Sequence, residues 1–275
     1  MRIRFNGVRG STPAPGGEFV RVGGNTSCVA VTAEGSDRPH LLLDAGTGIR
    51  AVTADLVGRP FEGTILLTHL HWDHFQGLPF FAAGDRADAT VELLLPDEGV
   101  DATAQLRRAM SPPHFPVGPE GLQGHWRFDV LDAGRSLIEG LRVTAAEVPH
   151  KGGRTFGYRL ADDVGSMAYV PDHLPSEDGP DRMRVLDLIA GVDLLVHDAQ
   201  FTASEAELAA TYGHATIEQA VRLALDGGVA ELVLFHHSPA RTDDQIDELV
   251  TSMPPVPCRV SVAREGATRH VVGPV

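Results

Sequence analysis

Apolar residues fall into short runs bounded by Gly, Pro, Asp and Asn, the pattern of strands closed by turns. Such runs cover residues 2–8 (RIRFNGV), 27–33, 41–46, 64–69, 91–96, 141–148, 156–161, 166–172, 193–199, 231–237 and 258–263. Between them, apolar positions three and four apart predict amphipathic helices over 47–57, 73–83, 101–110, 182–190, 203–211, 215–227 and 242–252. Strands in both halves, each half with helices able to cover one sheet face, predict two sheets packed face to face with helices outside. The Pro/Gly-rich pieces 10–18, 111–121 and 175–181 are too short to be interdomain linkers, so one domain over 1–275 is expected. Residues 111–125, SPPHFPVGPEGLQGH, are long enough to cap a pocket with His114 and Phe115.

A chain of 275 residues with 43% hydrophobic content can bury a sizeable core, which excludes a disordered chain. Its formal charge of −14 and its lack of dense basic runs argue against a general nucleic-acid binder, so nucleic acid is not an expected partner. Cys28 and Cys258 form no CxxC pair, which excludes a disulfide framework and a thiolate zinc finger and fits a reducing cytoplasm. The opening MRIRFNGVRG lacks the apolar core of a signal peptide, and no stretch approaches the roughly 18 apolar residues of a membrane span. A cytoplasmic protein without membrane contact is expected.

The 13 histidines carry the chemical information, because several stand where a predicted strand ends. TILLT runs into His69, TAAEVP into His150, SMAYVP into Asp172, DLLV into His197 and Asp198, and ELVLF into His236. Ligands at strand ends are how a rigid scaffold gathers sequence-distant groups. Residues 69–74 read His69-Leu70-His71-Trp72-Asp73-His74, the pattern HxHxDH. As mere packing, each of these imidazoles and the carboxylate would need its own buried partner. Imidazole with carboxylate oxygen suits Zn²⁺, with Mn²⁺ or Fe²⁺ as alternatives.

HLHWDH in this setting resembles the signature of the metallo-β-lactamase superfamily, over nearly the whole chain. The resemblance implies an α/β (αββα) four-layer sandwich of two mixed β-sheets with helices on the outer faces, and two divalent metal ions. His69, His71 and His150 (in EVPHKGG) would hold the first ion, Asp73, His74 and His236 (in LVLFHHSP) the second, and Asp172 (in YVPDH) would bridge them. His237 competes with His236; the THxSP-like segment of the family's phosphodiesterases favours His236. GVRGSTPAPGG, GNTSCVAV and LLLDAGTG resemble the family's first turns, with Gly10, Gly16 and Gly17 expected at positive φ. Asp44 there either accepts a hydrogen bond from a ligand histidine or simply caps a turn.

Such a pair of ions would hold a bridging hydroxide, with Asp73 counted among the catalytic groups. The superfamily leaves lactams, lactones, thioesters and phosphodiesters open, and Asp172 argues against a true β-lactamase. HDAQF at 197–201 with YGHAT at 212–216 resembles the paired HEAT and HST motifs of RNase Z and the matching segment of phosphoribosyl cyclic phosphodiesterases. By that resemblance His214 protonates the leaving group and Asp198 orients it, although Asp stands where RNase Z has Glu and Ala215 where it has Ser. RNase Z carries a basic arm for tRNA between the third histidine and the bridging aspartate, and only 21 residues separate His150 from Asp172. The expectation is therefore a phosphodiesterase for a small, cyclic or open, phosphodiester. A lactonase or thioesterase, an RNase Z-type tRNA endonuclease, and a non-catalytic metal sensor are the alternatives. Lys151 and Arg154 are candidate phosphate contacts, Trp72 and Phe75 are read as packing, and the resembling phosphodiesterases, often dimers, admit a homodimer.

Overall fold

In a computed structural model, described over residues 1–273, the first half builds one sheet from β1 (Arg2–Gly7), β2 (Cys28–Thr32), β3 (Leu41–Leu43), β4 (Glu62–Leu66), β5 (Thr90–Pro96) and β6 (His125–Leu131). The second holds β7 (Gly134–Ile138), β8 (Leu141–Glu147), β9 (Phe156–Ala161), β10 (Ser166–Val170), β11 (Leu194–Asp198), β12 (Glu231–Phe235) and β13 (Arg259–Val262), while β14 (Thr268–His270) returns to the edge of the first. The orders are β14-β1-β2-β3-β4-β5-β6 and β13-β12-β11-β10-β9-β8-β7. Each sheet is antiparallel on one side and parallel on the other, with β3 to β6 parallel in the first and β10 to β13 parallel in the second.

Alternation along the strands separates the layers. Leu41, Leu43 and Leu66 face Phe156, Tyr158, Tyr169, Val196 and Phe235 in a core between the sheets. Their neighbours Leu42, Ile65 and Leu67 turn outward, onto a second cluster with α1 (Ile49–Asp55), α2 (Trp72–Phe75) and α3 (Ala102–Arg107). Ala168, Leu195 and Leu232 do the same on the other outer face, beneath α4 (Gly179–Ile189) and α6 (Ile217–Asp226). Two short-range helices, α5 (Ala206–Tyr212) and α7 (Asp243–Ser252), complete the chain. This is the four-layer αββα sandwich of two mixed sheets. No helix among the described residues is long and apolar enough to cross a membrane.

Two departures from the hydrophobic pattern have physical causes. The helix expected over 73–83 ends after one turn at Phe75 and resumes as a 3-10 turn at Leu78–Phe80. Gly77 donates to Ala45 O at 2.9 Å, and a side chain at this position would collide with Gly46 O, so the chain is pinned to the turn after β3. Pro79 removes a further helical donor. Strands β6, β7 and β14 escape the pattern because they lie at sheet edges, where one flank is unpaired and exposed residues interrupt the apolar run.

Candidate metal centre and active site

Parallel strands deliver the site. In such sheets the carboxyl ends of the strands open on one edge, where groups from several strands converge. The chain passes from β4 through Leu67, which donates to Leu94 O at 2.9 Å, and Thr68, whose N and Oγ1 donate to Asp44 Oδ1 at 2.8 and 3.0 Å. His69 follows. His71 then stands at the N-cap of α2, whose single turn carries Asp73 and His74 inward while Phe75 packs beneath. His150 follows β8, Asp172 follows β10, Asp198 ends β11 and His236 follows β12. His236 adopts φ 55°, a left-handed turn that lets a strand-end ring point back over the edge.

These side chains meet. His69, His71, His150 and Asp172 converge so that one ligand atom from each lies within 4.8 Å of the others; Asp73, His74 and His236 form a second such group. Asp172 joins them, with Oδ2 at 2.9 Å from His74 Nε2 and 3.4 Å from His236 Nε2, and Oδ1 at 3.6 Å from His150 Nε2. Asp73 Oδ2 lies 3.1 Å from His236 Nε2 and 3.3 Å from His74 Nε2.

The remaining ring nitrogens say which lone pairs are free. His74 donates from Nδ1 to Asp44 Oδ2 at 2.8 Å, and His150 donates from Nδ1 to Gly213 O at 2.7 Å. Both keep Nε2 for the cluster. His69 Nε2 is buried without any hydrogen-bond partner, and buried His74 Nε2 and Asp172 Oδ2 face only each other and the rest of the cluster. Orphaned, converging acceptors are costly unless a cation occupies their focus, so this donor set fits divalent metal. Electrostatics agree. Burial drives the His69 imidazole well below its usual pKa, leaving a neutral ligand. Burial also opposes charge on His74, but Asp172, Asp73 and Asp44 outweigh it and hold that ring well above its usual value. A field that retains a proton so strongly also attracts a cation.

Beside this cluster, His214 sits just before α6, and its Nδ1 donates to Asp198 Oδ2 at 2.9 Å. The same carboxylate accepts from the backbone N of Ala215 at 3.1 Å and of His173 at 3.2 Å, so it is fully buried yet satisfied. Burial works against an imidazolium here, but Asp198, then Asp172 and Asp73, raise the His214 pKa to about 9. His214 lines a cavity of ≈ 450 Å³ with Ser11, His71, Asp172, Tyr212 and His236.

Residues 40–237 match the Beta-lactamase superfamily domain. The chain belongs to this metal-dependent hydrolase superfamily. Among curated members, a ribonuclease Z of Lacticaseibacillus casei is 29% identical, over 86% of this chain and 85% of the relative. In fold, the chain is similar to the metallo-β-lactamase fold protein YhfI from Bacillus subtilis, with TM-score 0.74 and 16% identity over 98% of this chain and 99% of that one. It is also similar to a diphosphatase from the PhnP family, with TM-score 0.72 and 19% identity over 98% of this chain and 97% of that one. The ribonuclease Z likeness gives no support to excluding nucleic acid on the strength of net charge.

The remaining candidate residues divide by where their side chains point. His237 faces away from the cluster and bonds Ala263 O through Nε2 at 3.1 Å, whereas His236 aims into it. His197 also turns away, sharing a 3.0 Å hydrogen bond with His173. Asp44 does both things considered for it: it sits at a turn with φ 60°, and it accepts from Thr68, His74 and Tyr169. Only Gly16 of the three early glycines has positive φ, at 136°. Gly10 is needed for a different reason, since a Cβ there would strike the His236 ring.

Lys151 donates to Thr211 O, and Arg154 reaches Asp97 O and Glu147, so both cations serve loops. Phe115 packs edge-on against Phe80 at 5.9 Å and does not line the cavity. Trp72 is 71% exposed and lines the cavity, contrary to its expected packing role. Sequence reasoning passed over Ser11, whose backbone N donates to Asp73 Oδ2 at 2.6 Å, and Arg9, a buried cation bonded to Gly23 O, Ser238 O, Arg241 O and Asp243. Arg9 ties the first turn to the segment after His236. Its place in a polar VRGS stretch carries no periodic signal.

Proposed function

We propose that the chain is a single-domain, binuclear metal-dependent phosphodiesterase for small phosphodiesters. In this reading His69, His71 and His150 hold one divalent ion, Asp73, His74 and His236 the other, and Asp172 lies between them. Zinc suits the mixed imidazole and carboxylate set, with manganese or iron(II) as alternatives. Ions bound there supply Lewis acidity toward the phosphoryl oxygens and acidify a water.

The observation that carries the choice of reaction is the 2.9 Å bond between His214 Nδ1 and Asp198 Oδ2 at the wall of the cavity. It leaves Nε2 as the nitrogen available to a bound molecule. Asp198 fixes the ring and favours its protonated form, and a protonated ring can deliver its Nε2 proton to a departing alkoxide. An alkyl phosphodiester needs that proton; a thioester, whose thiolate departs readily, needs it less. His150 and Asp172 keep the ring stacked near His236, with centroids 5.1 Å apart, so the donor stays beside the cluster.

Size supports a small substrate. The chain between His150 and Asp172 is taken up largely by the antiparallel pair β9 and β10, with no room for a projecting arm. A cavity of ≈ 450 Å³ falls within the about 300–1,000 Å³ of small-molecule sites. A second reading, tRNA 3′ processing, has the ribonuclease Z likeness in its favour. The metal-loaded protein should hydrolyse cyclic nucleotides or cyclic sugar phosphates and leave precursor tRNA, lactones and thioesters intact. Efficient tRNA cleavage with small diesters untouched would select the second reading. Turnover of lactones or thioesters alone would overturn both.

A further inference from the structure

Two large aromatic side chains are left uncovered at the site. Trp72 is 71% exposed and Tyr212 59% exposed, and both line the same cavity as His214 and Asp172. Exposed aromatics forgo the burial that ordinarily holds such rings, so two at one cavity mark a surface that awaits a partner. Neither is a loose loop residue. Trp72 is the first residue of α2, between His71 and Asp73, and so shares the rigidity of the cluster. Tyr212 is held on both sides: Thr211 O accepts from Lys151 Nζ, and Gly213 O accepts from His150 Nδ1 at 2.7 Å. Gly213 then turns with φ 85° to present His214. The anchoring role of Lys151 thus has a beneficiary in the position of Tyr212.

We propose that Trp72 and Tyr212 form a stacking rim for a planar nucleobase, which makes the substrate a nucleoside phosphodiester of mononucleotide size in preference to a sugar phosphodiester without a base. The inference rests on the phosphodiesterase reading above. Stacking favours a base over a sugar alone, while charge and volume set what else the site admits. Indole and phenol faces stack on any base without demanding a hydrogen-bond pattern. The aromatic pair adds no charge to a cavity already rich in carboxylates. The cavity volume of ≈ 450 Å³ holds one nucleoside beside its phosphate rather than an oligonucleotide.

The test uses the zinc-loaded protein and pairs kinetics with a binding signal. Adenosine 2′,3′-cyclic monophosphate is compared with methyl riboside 2,3-cyclic phosphate, which lacks the base. Trp72→Ala and Tyr212→Ala should each raise KM for the adenosine ester about tenfold, the order one base–aromatic stack supplies, with kcat little changed. The base-free ester should be turned over with a higher KM in the parent protein and should not respond to either substitution. The independent readout exploits the two tryptophans, Trp72 and Trp126. In Trp126→Phe protein, Trp72 is the sole indole, and adenosine 5′-monophosphate should quench it while ribose 5-phosphate should not. Equal kcat/KM for the two esters, or no quenching by the nucleotide, would overturn the stacking rim while leaving the phosphodiesterase reading intact. Failure to hydrolyse any phosphodiester, with quenching retained, would overturn that reading and leave the rim as a nucleotide-binding surface. Quenching by an oligonucleotide but not by the mononucleotide would overturn the size assigned to the ligand.

Discussion

His74 and Asp44 meet across 2.8 Å, ring Nδ1 to carboxylate Oδ2, inside the sandwich and away from all solvent. The same carboxylate accepts from Thr68 N, Thr68 Oγ1 and Tyr169 OH, so residues from three separate segments fix one histidine. Tyr169 belongs to the second sheet and Asp44 follows β3 of the first, which couples the orientation of the ring to the packing of the two layers.

Asp44→Asn keeps the shape but replaces one acceptor oxygen with a donor. His74 would then have to accept at Nδ1 or lose its partner, and its lone pair at Nε2 would no longer be assured. Metal affinity should fall about 10- to 100-fold, the usual effect of losing an orienting partner, as read by competition with a chromophoric chelator. Undiminished affinity would show that packing alone orients the ring.

The converging ligands exceed what one tetrahedral ion can use, so carefully reconstituted protein should hold two ions per chain by elemental analysis. Asp172→Ala should lose most of the activity together with one of them. Full activity with never more than one metal per chain would contradict the binuclear arrangement.

Neighbouring histidines separate the roles at the end of β12. His236→Ala should lower metal content, because its Nε2 faces Asp73 and Asp172. His237→Gln should leave metal content unchanged and cost only stability, about 1 kcal/mol for the lost bond to Ala263 O. Burial, with Arg9 nearby, lowers the His237 pKa to about 3. Because the folded value lies below the unfolded one near 6.5, this ring destabilises the fold as pH falls through about 6.5 toward 3, whereas above 6.5 it is neutral in both states. Thermal melts of the metal-free His237→Gln protein should accordingly lose less on acidification than those of the parent.

The legible part of this molecule was the part written in short-range pattern. HxHxDH announces itself because four ligand-type residues crowd one strand end, and the apolar spacing over 215–227 and 242–252 meets the helices Ile217–Asp226 and Asp243–Ser252 within two residues, where capping boxes at Thr216 and Thr242 fix their starts. Three kinds of feature stayed hidden. Edge strands such as β7 lack a clean period because solvent replaces one neighbour. The early end of α2 follows from Gly77 meeting the turn at Ala45, a contact between residues 32 positions apart, and no local propensity encodes it. The exposure of Trp72 is likewise tertiary: the spacing that places it between His71 and Asp73 is visible, but whether anything covers it depends on the far-away chain around Tyr212. Motif likeness pointed to the candidate ligands and already favoured His236 over His237; the fold turns the His236 ring toward Asp73 and Asp172 and the His237 ring onto Ala263 O.

The last expectation concerns His214 as a proton donor. Such a donor matters in proportion to how poorly the leaving group bears a negative charge, and general acid catalysis is typically worth roughly 10²- to 10⁴-fold. His214→Ala should therefore cut hydrolysis of an alkyl phosphodiester by about that factor, while a p-nitrophenyl ester, whose leaving group is stable as an anion, should lose far less. Metal content should stay constant. In the metal-free protein the His214 ring should titrate near about 9 by NMR, held there against burial chiefly by Asp198. The acid form is present below its pKa and vanishes above it. Asp198→Asn removes the main raising charge, so the ring should titrate lower and the alkaline limb of the alkyl-ester kcat profile should move to lower pH. If both esters lose activity equally, or if a metal leaves with the ring, His214 is a ligand or a positioning group. His214, Asp172 and His236 do lie close enough together to hold an ion, so metal content is the measurement that separates the two roles.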